Sequence, residues 1–400
     1  MYKIIRMNEG GINMTRLDLT EYEVIDNHCH PFPVGREPKD FARNACIGLY
    51  PVESEDMRNT VYYHMLMNEL RRYFDMKDAS DEEVIEVRNS HAIKDREAYT
   101  KALYREAGYS SLLVDFGYPI GQKYDKSKKL SEAEIREMHD CCEPEIRLYN
   151  INRIEWVANR LVEEMVPFRQ FEQAFYDGCD RMVKDEGLVA LKSVIAYYTG
   201  LEVKVLEKED VRKGYEAYLR DPTDQKAEKV FRDYTFLLGC NVARMLDIPL
   251  QIHTGLGDSP DCNLLKCNPF LLHEAINLPL VRETKLMLIH GSYPYMEELG
   301  MLLNHYTNIY ADISSFCPYA GMAAEDKLLK LFEMAPLNKV CFGTDGCCIP
   351  EHTWFGAIFM KRVLAEALDR LVERGHISYD FAERSARNIL SENVKRIYRL

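Results

Sequence analysis

Eight short apolar runs, most of them followed by a stretch with helical spacing, constrain this 400-residue chain more than any other feature. They lie at residues 24–30 (VIDNHCH), 111–116 (SLLVDF), 145–149 (EIRLY), 188–196 (LVALKSVIA), 249–253 (PLQIH), 285–290 (KLMLIH), 308–313 (NIYADI) and 339–345 (KVCFGTD). Several are nearly continuous in hydrophobic residues, as strands buried on both faces of a parallel sheet should be. Between them Ile154, Val157, Leu161 and Met165 fall on one helical face, and Phe231, Leu237, Val242 and Leu246 belong to another long amphipathic segment. Strands alternating with helices pair in parallel, because each return to the sheet needs a crossover. Eight such units predict an α/β fold, a closed (β/α)8 TIM barrel, in preference to an open sheet.

A bare barrel takes about 250 residues, so this chain carries additions. The division expected is an N-terminal extension over 1–20 and a single barrel over 21–400, with a helical insertion over 31–110. Its main helical segments are expected at 58–72 and 81–107. As the first βα connection, the insertion belongs at the barrel mouth, as a lid over the substrate or, equally, as inert scaffold. Further helices are expected at 354–374 and 379–399, after the eighth strand.

Composition narrows the class of partner. Lys and Arg number 51 against 64 Asp and Glu, a net charge of −13, which argues against nucleic acid or an anionic membrane surface. No apolar run approaches the ~20 residues needed to span a bilayer, and the first residues lack the apolar core of a signal peptide. A cytoplasmic protein acting on a small molecule is expected. The 12 cysteines include no C-x-x-C pair, so they read as reduced, small buried hydrophobes.

The chemistry is written at the strand ends. The first run closes in His28-Cys29-His30, and alternation along a strand puts the two imidazoles on one side with Cys29 on the other. His253, His290 and Asp345 each close a later run. The C-terminal ends of barrel strands converge where such enzymes keep their catalytic groups. Four histidines and a carboxylate there form a nitrogen/oxygen site suited to a divalent ion: zinc first, with manganese or iron as alternatives. Lys192 falls on the inward face of the fourth run with Ala190 and Val194. It has three candidate roles: a carbamylated ligand bridging two metals, an amine that binds an anionic substrate group, or the partner of a buried acid.

The set HCHP, the fourth-run lysine, IHTGLGD, IHGSYPY and GTDG resembles the amidohydrolase superfamily of metal-dependent barrels. More narrowly, LKSVIAYYTGLE, PLQIHTGLGD, NPFLL, TDGCCIPE and NILSENVKRIYRL are similar to the N-terminal barrel domain of some fungal and plant proteins fused to glutamine-synthetase-like domains. The resemblance runs from about residue 22 onward, apart from the insertion. It implies that His28 and His30 bind a first metal with Asp345, and that His253 and His290 complete that site or hold a second ion. One or two metals per chain follow, with Lys192 at the position carbamylated in some members. The branch often has a histidine shortly after the eighth-strand aspartate, where this chain has Gly346-Cys347-Cys348, so substrate and leaving group are the properties most open to difference.

A bound divalent ion lowers the pKa of its water from about 15.7 toward ~7. Asp345 is placed to accept that proton and pass it to the leaving group, while His290 or the metal polarises a carbonyl. The expectation is a hydrolase of amide-like C–N bonds. Metal-dependent decarboxylases and sugar-acid isomerases on the same barrel are the alternatives, and a catalytically silent metal-binding scaffold is a third. Substrate contacts are expected from Arg36, Tyr197, Tyr198, Asp258, Tyr293, Tyr295, Glu351 and His352. Asp312 would orient a ligand histidine. The habits of such barrels add a homo-oligomer to the expectations.

Overall fold

The computed structural model describes residues 16–32, 40–45, 53–117, 130–258, 262–315 and 319–400. Eight parallel strands run in sequence order: β1 Val24–Cys29, β2 Tyr109–Asp115, β3 Arg147–Arg153, β4 Leu188–Ser193, β5 Leu250–His253, β6 Leu286–Ile289, β7 Ile309–Asp312 and β8 Val340–Cys341. Regular pairing links each strand to the next. Individual backbone bonds draw the eighth back to the first: Asn27 N–H donates to Phe342 O at 3.0 Å, Asp345 N–H to His28 O at 2.8 Å, and His30 N–H to Gly346 O at 2.8 Å. The result is the expected TIM barrel with interleaved helices.

Two strands differ from the sequence reading, each for a physical reason. β3 extends to Arg153, through Asn150 and Asn152, which break the apolar pattern. Their amides are satisfied by the carbonyl and carboxylate of Glu186, at 2.8 and 2.6 Å. β8 is cut to two residues because the chain from Phe342 onward leaves the β7 ladder to close on β1.

Inside the barrel, Ile25, Leu113, Ile151, Ala190, Met287, Ile289 and Cys341 pack together, and Val394, Ile397 and Tyr398 of the helix Asn393–Tyr398 join them. Each fully buried side chain of this size contributes about 1.5–3 kcal/mol. A larger shell of apolar residues lies between strands and helices.

The insertion supplies the helices Val61–Tyr73, Asp81–Lys94 and Arg96–Ala107. The sequence pattern reads 81–107 as one segment, but the structure divides it at Asp95. That side chain accepts from Ala98 N–H and so starts a new helix, while Ser80 and Glu83 close a capping box on the helix before. The second helix ends at Gly108, whose φ of +82° suits glycine. These helices are riveted to the helix Pro350–Glu373 that follows β8. Arg88 forms a fully buried, bidentate ion pair with Glu351. Tyr99 Oη donates to the same carboxylate at 2.7 Å, Trp354 Nε1 donates to Glu106 at 2.7 Å, and Arg362 pairs with Glu69 at 2.7 Å. Among the described residues no helix is long and apolar enough to cross a membrane.

Candidate metal centre

β1 shows how the sequence builds the site. Ile25 points into the barrel and Cys29 out toward the helices, an odd-numbered pair that strict alternation would place together. A register irregularity between Asp26 and Cys29 changes the phase. His28 and His30 therefore share the inner side, with ring centroids 4.9 Å apart, as the H-x-H spacing predicts. Asp26 fixes the irregularity by accepting from the N–H groups of His28 and Thr344, at 3.1 and 2.9 Å.

The other strand ends converge on the same point. His28 Nε2 lies 3.4 Å from Asp345 Oδ1, His30 Nε2 lies 3.2 Å from that oxygen, and His290 Nδ1 lies 3.6 Å from Oδ2. The ring of His253 is 4.4 Å from that of His290. Two groups have donor atoms close enough to share an ion: His28, His290 and Asp345, and His28, His30 and Asp115. Among the described residues His253 Nε2 is buried with no hydrogen-bond partner, which leaves that imidazole nitrogen open to coordination. The donor set fits a divalent ion.

Electrostatics favour the same use. Burial would raise the Asp345 carboxyl, but His290, His28 and His30 beside it hold it well below the usual range. Burial depresses His28, reinforced by Lys192, and likewise depresses His253, reinforced by His290 and Lys192. Burial is also the main cause that takes His290 down to about 4. Three of the imidazoles are therefore neutral at pH 7, as metal ligands must be.

Asp115, the last residue of β2, is not among the residues singled out in the sequence, where Phe116 closes its run. Its Oδ2 lies 2.9 Å from Lys192 Nζ and 2.9 Å from Arg153 Nη2, and those cations overcome burial to hold the carboxyl well below its ordinary range. Lys192 Nζ also lies 2.9 Å from His28 Nε2. Lys192 thus forms a buried ion pair with Asp115 in this structure. Arg153 escaped the reading because it follows a polar stretch.

Around His290, Asp312 accepts from the backbone N–H at 2.8 Å and from Ser314 Oγ at 2.7 Å, while Ser314 Oγ sits 3.0 Å from His290 Nδ1. Asp312 thus holds the His290 backbone directly and reaches its ring through Ser314. Strain marks the same rim. His290, Ser292, Ser315, Asp345 and Cys348 all hold φ between +50° and +71°. Left-handed conformations of non-glycine residues cost about 1–3 kcal/mol each and cluster at functional sites.

The pocket above these groups encloses about 570 Å³, including space open to solvent, and Tyr197, Leu256, Gly257, Asp258, Ser315 and Cys347 contribute to its wall. Tyr197 Oη accepts from Asp258 N–H at 3.1 Å, which joins two predicted substrate contacts. Five other candidates lie away from this wall. Tyr198 stacks under the Arg232 guanidinium at 3.8 Å, and Tyr293 faces Lys327 at 5.5 Å. Glu351 is consumed by Arg88 and Tyr99, and His352 Nδ1 donates to Cys347 O at 2.6 Å. Tyr295 Oη donates to Leu264 O at 3.1 Å. Arg36 lies outside the described residues. Among the described residues none of the insertion lines the pocket.

Fold and site together define a barrel with a metal-competent histidine–carboxylate cluster at the C-terminal ends of its strands. The profile described as Amidohydrolase matches residues 158–400, more than half of the chain. The chain belongs to the amidohydrolase family. The matched segment holds Lys192, His253, His290 and Asp345, while His28 and His30 precede it. Protein fluG of Emericella nidulans is 31% identical over 230 residues, covering 54% of this chain and 26% of that protein. The chain thus spans about a quarter of that relative's length. A crystal structure described as a metal-dependent hydrolase from Lactobacillus casei superposes with a TM-score of 0.78 at 22% identity, covering 96% of this chain and 98% of that one. Uronate isomerase from Thermotoga maritima gives 0.65 at 14%, covering 94% of each chain. These two likenesses speak for the fold alone.

Proposed function

We propose that this chain is a metal-dependent hydrolase that cleaves an amide-like C–N bond of a small polar molecule, using one divalent ion: zinc, with manganese or iron as alternatives. The observation that carries the reading is the meeting of four strand-end histidines with one ionised carboxylate, with His253 Nε2 buried and without a partner.

His28, His290 and Asp345 would hold the ion, with His30 and His253 alongside. When bound, it supplies an activated water near neutral pH and a Lewis acid for the scissile carbonyl. Asp345, kept ionised by its histidine neighbours, accepts the water's proton at a carboxylate oxygen and returns it to the leaving nitrogen. Lys192 stays an ammonium tied to Asp115, which fits one ion better than a carbamate-bridged pair. The Tyr197–Asp258 pair on the wall offers a hydroxyl and a carboxylate to polar groups of the substrate.

The test is metal content per chain by mass spectrometry on protein purified without chelators, then a screen of small amides. One ion per chain with release of ammonia or amine is expected. Two ions per chain would restore the carbamate reading of Lys192. Carbon dioxide from an aromatic acid, or interconversion of sugar acids, would replace hydrolysis with a lyase or isomerase. No metal after addition of zinc and manganese would leave a silent scaffold.

A further inference from the structure

Two pairs of thiols lie close together near the pocket. Cys347 and Cys348, neighbours in sequence, have sulfurs 3.4 Å apart. Cys262 and Cys267, five positions apart in the loop after β5, have sulfurs 3.2 Å apart. The second pair carries the stronger argument, because its loop can close a disulfide without the eight-membered ring that neighbouring cysteines would form.

Cys267 S–H donates to Asn263 O at 3.2 Å, which leaves Cys262 S–H to donate to the Cys267 sulfur. The same bond holds the Cys267 thiol below its ordinary value while Cys262 is raised. The pair sits directly behind the site. A Cβ built on Gly257 would lie 2.8 Å from Cys262 Sγ, 2.7 Å from His253 Nε2 and 2.8 Å from Tyr197 Oη. One residue without a side chain therefore separates the dithiol from a candidate metal ligand. Backbone ties bind the pair to that segment: Gly255 N–H donates to Cys267 O at 2.8 Å, and Cys262 N–H to Asp258 O at 2.7 Å.

We propose that Cys262 and Cys267 form a reversible oxidation site whose disulfide tightens the His253 side of the pocket. With exposures of 3% at Cys262 and 0% at Cys267, the pair excludes a bulky disulfide, and the oxidant the site requires is one as small as hydrogen peroxide. The Cys267 sulfur, as thiolate, attacks a peroxide oxygen; the O–O bond breaks, hydroxide departs and is protonated to water, and Cys267 becomes a sulfenic acid. The Cys262 sulfur then attacks the Cys267 sulfur, the S–O bond breaks, and a second water leaves with the Cys262 proton. Two thiols are oxidised by two electrons and one peroxide is reduced to two waters. The sulfurs move from 3.2 Å to about 2.05 Å, and the loop behind Gly257 becomes cross-linked.

The effect on the pocket rests on the metal reading above, whereas disulfide formation does not. The test treats the metal-loaded full chain with a small excess of hydrogen peroxide, blocks remaining thiols by alkylation, and maps disulfides by mass spectrometry. Loss of two thiols per chain is expected, with peptides carrying Cys262 and Cys267 joined and dithiothreitol restoring both. Cys262→Ser and Cys267→Ser should each abolish that link. A chromogenic chelator should strip the ion several-fold more slowly from the oxidised form. Thiols that all remain alkylatable, or a link confined to Cys347 and Cys348, would overturn the site. Equal stripping rates would overturn its control of the pocket. A protein that binds no metal yet forms the 262–267 link would sink the hydrolase reading and leave the oxidation site standing.

Discussion

Replacing Glu351 by alanine should loosen the insertion from the barrel, and the cost can be worked from the contacts. Arg88 and Glu351 both have side-chain exposures of 0%, so neither charge has water to turn to. The pair is bidentate, with Nη2–Oε2 at 3.0 Å, and Tyr99 Oη adds a third bond at 2.7 Å. Removing one partner of a buried ion pair leaves the other uncompensated and costs about 3–5 kcal/mol. Glu351→Gln keeps the shape and part of the bonding and should cost about half as much. The double variant Arg88→Met/Glu351→Leu should recover most of the loss, because matched apolar replacement of a buried pair is often neutral or better. Urea unfolding of the four proteins, with ΔG compared at matched m-values, makes the measurement. A Glu351→Ala cost below about 1 kcal/mol, or a double variant no better than the single ones, would refute the reasoning and return Glu351 to the pocket.

Asp345→Asn should cut turnover by about 10²-fold or more, the usual contribution of a general acid–base group, and His253→Ala should lower metal content in the same preparation, read by mass spectrometry. Removing metal with a chelator should lower the unfolding free energy by about 2.7 kcal/mol relative to protein held at 100 times its Kd in free ion; an unchanged unfolding curve would deny a site specific to the folded state. Asp115→Asn strands Lys192 and Arg153 without their shared buried anion and should destabilise by about 3–5 kcal/mol, measured by the same urea series. Burial takes Lys361 down to about 8, so between pH 8 and about 10.5 the unfolded chain binds more protons than the folded one. Wild-type stability should therefore rise through that window by about 2–3 kcal/mol relative to Lys361→Met, and a pH-independent difference would contradict it.

What could be read from sequence follows from where side chains meet water. Parallel strands buried on both faces leave long apolar runs, so β5 and β6 are visible almost residue for residue, whereas the fourth run continues in apolar residues past Ser193, where β4 gives way to a 3-10 turn. A histidine or aspartate closing such a run stands out, which is why His28, His30, His253, His290 and Asp345 were legible. Asp115 is less visible because Phe116 follows it at the end of its run, so the carboxylate does not mark the strand end in sequence. Arg153 and the polar end of β3 left no signal: their pairing with Asp115 and Glu186 is tertiary. Tyr198, Tyr293, Tyr295, Glu351 and His352 follow candidate site residues in sequence, yet proximity along a chain does not set direction. Each is spent on a partner that only the folded packing reveals.

The seam that closes the barrel has a consequence for the life of the molecule before it is finished. Thr344 N–H reaches Asp26 across 318 positions of chain, and the neighbouring link from Asp345 to His28 joins two candidate metal ligands. During synthesis His28 and His30 emerge first, and Asp345 joins them only when the eighth strand arrives. The candidate set that includes Asp345 is therefore assembled only when the ring is shut. An ion held by that set would lock only a chain that has already found its final register.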